Sequence, residues 1–103
     1  MTEAELETTI DGALHEVEDP EAGINIVDMG LVYEVKCEPE TGDVRVSMTF
    51  TTPACPAGEM LVLGVEQRLL RVPGVSHVEV EVVFEPRWTP QRITPEGRAA
   101  LGW

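Results

Sequence analysis

Leu6, Ile10, Ala13, Leu14 and Val17 recur at intervals of three and four, which predicts an amphipathic helix over residues 3–17. Thr2 with Glu5 three residues later forms a capping-box signature at its start. The period then changes to two. Leu31, Tyr33, Val35 and Cys37 alternate with Val32, Glu34, Lys36 and Glu38, the pattern of a half-buried strand. Val44, Val46, Met48 and Phe50 alternate with Arg45, Ser47, Thr49 and Thr51 in a second strand. The short "PETGD" turn between them argues for an antiparallel hairpin. Residues 57–71 return to helical spacing, with Leu61, Val65 and Leu69 on one stripe and "VPGV" at the end. Val78, Val80, Val82 and Phe84 alternate with His77, Glu79, Glu81 and Val83 in a third strand. Its helical crossover predicts a parallel, right-handed connection to the second strand. "EPRWTPQR" reads as an extended arm. Thr94 as N-cap with Pro95 at the first helical position starts a last short helix.

The order is helix, strand, strand, helix, strand, helix. One three-stranded mixed sheet with helices on one face is the economical packing, an α+β two-layer sandwich. The 103 residues fit a single domain over 1–103, long enough to bury roughly two thirds of the unfolded chain's surface. No repeat or low-complexity segment interrupts it. No apolar run approaches the ~18 residues of a membrane span, and the acidic start lacks the layout of a signal peptide, so the expected location is cytoplasmic.

Charge narrows the partners. Nineteen acidic residues stand against seven basic ones, a net charge of −12. Such a surface repels phosphate backbones and anionic lipid, which argues against nucleic-acid and membrane partners. It serves solubility, or offers a docking face for basic partners or metal ions.

Candidate chemistry gathers in "TFTTPACPAGEM", residues 49–60. With Pro56 as the first residue of the second helix, Cys55 would be its N-cap, facing exposed N–H groups and the positive end of the helix dipole. A dipole interaction of roughly 0.3–1 kcal/mol is less than one pKa unit, about 1.4 kcal/mol. A strong shift would need direct hydrogen bonds, for which Thr51 and Thr52 are candidate donors. The alternative is a small apolar filler in a proline-rich turn. Cys37 shares a strand face with Tyr33 and Val35 and reads as a buried, inert thiol. Two cysteines are too few for a disulfide scaffold, and a reducing compartment would keep both as thiols.

The loop "VEDPEAGINIVDMG" carries Asp19, Glu21 and Asp28. Asp19 and Glu21 flanking Pro20 make an ordinary turn, and Asp28 would cap the turn that Gly30 completes. The functional alternative brings these carboxylates and Cys55 together at one end of the sheet, as a small oxygen-and-sulfur site for a metal or substrate. His15 and His77 stand alone. Without a Cys-x-x-Cys pair one chain cannot supply an all-thiolate cage, so a metal at Cys55 would need two chains or exogenous ligands. No Gly-x-Gly turn, phosphate-binding lysine loop or Gly-x-Ser-x-Gly elbow is present.

The stretches "DPEAGINIVDMGLVYEV", "VSMTFTTPACPAGEM" and "GVSHVEVEVVFEPRWTP" together resemble the PaaD/SufT-like family of metal–sulfur cluster biosynthesis proteins. The resemblance covers residues 4–101 and rests on the order and spacing of the Asp-Pro-Glu loop, the Gly-Leu-Val-Tyr strand, the Thr-Thr-Pro-x-Cys-Pro loop and the Pro-x-Trp-Thr-Pro arm. It implies the iron–sulfur cluster assembly domain fold and a role in iron–sulfur protein maturation. The family's signature positions fall on Asp19, Glu21, Asp28, Thr51, Thr52 and Cys55, with Trp88 in the arm as a partner-binding residue. Phe84-Glu85-Pro86-Arg87-Trp88 stands where an aromatic-Asp-Pro-Pro-Trp run is more usual, and Ala22 replaces a larger apolar residue; no signature residue is lost. One family branch serves a ring oxygenase acting on phenylacetyl-CoA. The chain is expected to be the domain alone, without the cysteine-bearing C-terminal extension of some PaaD proteins, which weighs against that branch.

The resulting expectation is a non-enzymatic maturation factor that meets the iron–sulfur assembly machinery and client apoproteins. It would hold no cofactor stably and touch iron or a cluster transiently through Cys55. A homodimer would double the thiols at a shared site. The alternatives are an oxygenase accessory protein, an interaction module acting through its acidic surface and Trp88, and an enzyme with Cys55 as nucleophile.

Overall fold

Helix α1 (Glu3–Leu14) begins where the capping box places it. Thr2 Oγ1 accepts the Glu5 N–H at 3.2 Å and Glu5 Oε1 accepts the Thr2 N–H at 3.1 Å. The computed structural model describes residues 2–54 and 57–102. Leu6, Ile10, Ala13 and Leu14 are buried, as their spacing predicts. The helix stops short of Val17 because another pairing competes for the backbone. Asp19 N–H donates to Ile24 O at 2.9 Å and Ile26 N–H to Val17 O at 2.9 Å, around a bridge between Glu18 and Asn25. Val17 keeps its place in the core from this extended geometry.

The hairpin of β1 (Val32–Glu38) and β2 (Asp43–Met48) is antiparallel. The predicted alternation fails at its first residues. Val32 pairs with Met48 and Glu34 with Ser47, so Tyr33 is an extra residue in a β-bulge. The bulge reverses the phase: Val32 packs against the core, and Tyr33 leaves it to donate its hydroxyl to Pro86 O at 2.7 Å. Val35 and Cys37 then follow the predicted inward set.

After helix α2 (Gly58–Leu70), strand β3 (His77–Val82) pairs parallel with β2, giving the order β1-β2-β3. β2 and β3 are both shorter than their alternation suggests, and Phe50 and Phe84 lie beyond their ends. A 3₁₀ turn (Pro90–Arg92), which the sequence pattern did not signal, precedes helix α3 (Pro95–Leu101). Thr94 caps α3 by accepting the Gly97 N–H at 3.0 Å. α1 packs on β1 and α2, and α2 packs on β3. Leu61, Val65 and Leu69 of α2 share one core with Leu6, Ile10 and Leu14 of α1 and Val44, Val46 and Met48 of β2. Each such side chain contributes about 1.5–3 kcal/mol by leaving water. The opposite sheet face carries Arg45 and Glu79, whose exposed side chains pair at 3.3 Å. No helix among the described residues is long and apolar enough to cross a membrane.

Candidate functional site

The Thr/Pro loop follows the end of β2. Thr49 still donates its N–H to Leu31 O at 2.8 Å and is wholly buried. Phe50 turns back over the first turn of α2. A Cβ on Gly58 would stand 2.6 Å from the Phe50 ring, so only glycine admits that approach. The same ring meets Phe84 edge-on, centroids 6.1 Å apart. Phe50 thus joins the end of β2, the start of α2 and the arm after β3. Thr51 is half-buried, and Thr52 and Pro53 are exposed. Thr51 and Pro53 form one wall of a cleft of about 290 Å³; Phe84, Arg87 and Trp88 form the other.

The arm is anchored from behind. Trp88 is half-buried, and its Nε1–H donates to Met29 O at 2.7 Å. The arm's aromatic thereby holds the end of the acidic loop. Asp28, next to Met29, is fastened to the C-terminal segment twice. Its Oδ1 accepts the Thr94 hydroxyl at 2.9 Å and its backbone O accepts the Thr94 N–H at 2.9 Å. Asn25 Nδ2–H donates to Asp28 Oδ2 at 2.8 Å. That hydrogen bond, with help from Thr94 and the nearby His15, holds the Asp28 carboxyl below the usual carboxylate range, against the opposing effect of burial. The sign of the consequence is definite. A depressed folded pKa stabilises the native state fully above the unfolded value of about 4, and that contribution is lost as pH falls through the lower folded value. Wild type is therefore expected to lose more melting temperature than Asp28→Asn on acidification from about pH 5 to below about pH 3. Parallel curves for the two proteins over that range would contradict this role for Asp28.

Asp19 is only 4% exposed. Its Oδ1 accepts the Glu21 N–H at 2.9 Å, and its backbone O accepts the N–H groups of Ala22 and Gly23. The carboxylate builds the turn that presents the exposed Glu21.

Of the residues expected from sequence, Thr51 and Trp88 meet at one cleft, and Asp28 is tied to Trp88 through Met29. Asp19 and Glu21 share a turn. Cys55, with Pro56, lies outside the described residues. The expected start of α2 at Pro56 is corrected: the helix starts at Gly58 with Ala57 as its N-cap. Cys37 is 8% exposed, and burial, followed by nearby glutamates, pushes its thiol pKa up. Among the described residues, no three His, Cys, Asp or Glu side chains gather into a metal-holding group. Phe50, Phe84, Met29 and Asn25 are parts of the site that sequence reasoning missed. The two phenylalanines carried a signal, as large apolar residues at the ends of strand patterns beside a Thr/Pro loop; the partners of Met29 and Asn25 carried none.

Fold and cleft together define a small α+β domain whose Thr/Pro loop faces an aromatic arm buttressed by an acidic loop. Residues 7–82 match the family described as "Iron-sulfur cluster assembly protein". A Bacillus subtilis relative named Fe-S protein maturation auxiliary factor YitW is 40% identical over 102 residues, 99% of this chain and 98% of the relative. Staphylococcus aureus SufT, also named an Fe-S protein maturation auxiliary factor, is 40% identical over 82% of this chain and 94% of its own. A Bacillus anthracis crystal structure described as a domain of unknown function, DUF59, superposes with a TM-score of 0.91 at 36% identity, covering 97% of this chain and 94% of that one. The chain belongs to the iron–sulfur cluster assembly protein family, in its SufT-like group.

Proposed function

We propose that this protein is a maturation factor that assists delivery of iron–sulfur clusters to apoproteins and performs no catalysis of its own. The observation that carries the reading is the near end-to-end likeness to two maturation auxiliary factors, on a chain whose Thr/Pro loop borders a cleft open to a partner. In this reading Cys55 is the thiol that touches iron or a cluster transiently, as cargo. Thr51 and Thr52 hold its loop, and the exposed Glu21, set by the buried Asp19, contributes negative charge that attracts ferric or ferrous iron. Asp28 and Trp88 act at one remove by fixing the acidic loop to the arm. The partners are the assembly machinery and client apoproteins.

The test compares cluster occupancy of iron–sulfur enzymes in cells carrying wild type or Cys55→Ser. The expected result is a loss of occupancy with unchanged abundance of the factor. Normal occupancy would remove Cys55 from the mechanism. The native Cys55→Ser protein is also expected to show no thiol reactive to a water-soluble alkylating agent near neutral pH, because its remaining thiol, Cys37, is buried and protonated.

A further inference from the structure

β3 ends the sheet on one side, and among the described residues its ladder partner is β2 alone. The N–H groups of His77 and Val83 donate to Gly42 O and Met48 O at 3.2 and 2.8 Å. These bonds fix the parity of the parallel ladder: odd-numbered residues bond towards β2. The backbone N–H and C=O groups of Val78, Val80 and Val82 therefore point to the open edge. The side chains of Val78 and Val80 pack against the core on the helical side. Glu79 and Glu81 alternate with them and are exposed.

An apolar groove of about 460 Å³ adjoins that edge, lined by Val82 with Phe50, Val62 and Leu63. Glu59 and Glu66 line it too, one heptad apart. Together 59, 62, 63 and 66 make one face of α2, beside the buried stripe of Leu61, Val65 and Leu69. Leu63 remains 52% exposed and Phe84, packed on Phe50, 41% exposed. Edge-facing backbone groups, an apolar channel and a set of carboxylates thus run alongside one another.

We propose that the β3 edge accepts an extended segment of a partner protein as a fourth strand, with apolar side chains in the groove and Lys or Arg beside Glu79 and Glu81. Charge selects this occupant over a second copy. A β3–β3 pairing would set Glu79 and Glu81 against their like, between two chains of net charge −12. An alternating apolar and basic strand meets both faces of the edge with complementary chemistry. Phe50 lines both this groove and the Thr51–Trp88 cleft, so the segment would end beside the site. That this segment belongs to a client rests on the maturation reading; the docking itself does not.

The test uses a fluorescein-labelled decapeptide alternating valine and lysine, followed by anisotropy against the iron-free protein and by amide hydrogen exchange. Saturable binding should slow exchange at Val78, Val80 and Val82. Glu79→Lys with Glu81→Lys should weaken it about ten-fold, and so should Leu63→Asp; all three sites are exposed, so circular dichroism and melting temperature serve as controls for folding. A valine–glutamate decapeptide should not bind. Binding that ignores these variants, or equal binding of the acidic peptide, would overturn the proposal. So would absence of protection at the three valines. Concentration-dependent dimerisation of the protein alone, protecting the same amides, would assign the edge to a second copy instead. Because no cluster is involved, failure here leaves the Cys55→Ser outcome standing, and the reverse holds as well.

Discussion

Gly30→Ala is expected to destabilise the protein by about 3 kcal/mol and to lower its melting temperature by roughly 15 °C. Gly30 has φ +76°, in the left-handed region, where a Cβ costs about 1–2 kcal/mol. The added methyl would also run into the backbone carbonyl of Arg92, whose carbon would stand 2.7 Å away. That backbone has little room to yield. The Arg92 N–H donates to Thr89 O at 2.9 Å, and the next residue, Ile93, is buried in the core. Overpacking of this kind adds about 1–3 kcal/mol. Gly74→Ala separates the two contributions: its φ is +92° and nothing stands within 4 Å of the added atom, so backbone strain acts there alone. Thermal and urea unfolding of both variants would check the expectation. Equal losses at the two positions would mean that the close approach of Arg92 to the acidic loop has no energetic weight.

Trp88→Ala is the second large effect, expected to cost about 3 kcal/mol, at the low end for a tryptophan because the ring is half-buried. Two losses combine. The ring leaves the core margin, and the buried Met29 loses the indole donor at 2.7 Å. Trp88→Phe retains much of the packing and loses the hydrogen bond, with an expected cost of about 1–2 kcal/mol. The pair also bears on function. Alanine removes a wall of the cleft opposite Thr51, whereas phenylalanine preserves it. Under the maturation reading, cluster occupancy of client enzymes should fall in Trp88→Ala and largely survive in Trp88→Phe. Melting curves with occupancy measurements on the same strains would show it. A Phe variant as defective as Ala would shift the weight from the cleft wall to the Met29 bond.

Periodicity and capping chemistry were enough to determine the three α-helices and three strands, their order and the parallel crossover from β2 to β3. Thr2, Glu5, Thr94 and Pro95 act within one helical turn, and alternation reports directly which strand residues face a core. The acidic and Thr/Pro loops could be singled out for the same reason, since prolines, glycines and carboxylates shape their own local backbone. Tertiary structure decided what those signals could not contain. The bulge that turns Tyr33 outward answers to Pro86. The end of α1 answers to a ladder with Ile24 and Ile26. The bonds that assemble the site, Asp28 to Thr94 and Trp88 to Met29, span 66 and 59 residues. Such contacts arise only when packing of the apolar faces brings distant segments together, and a single side chain's hydrogen-bonding capacity does not specify which remote partner will fill it.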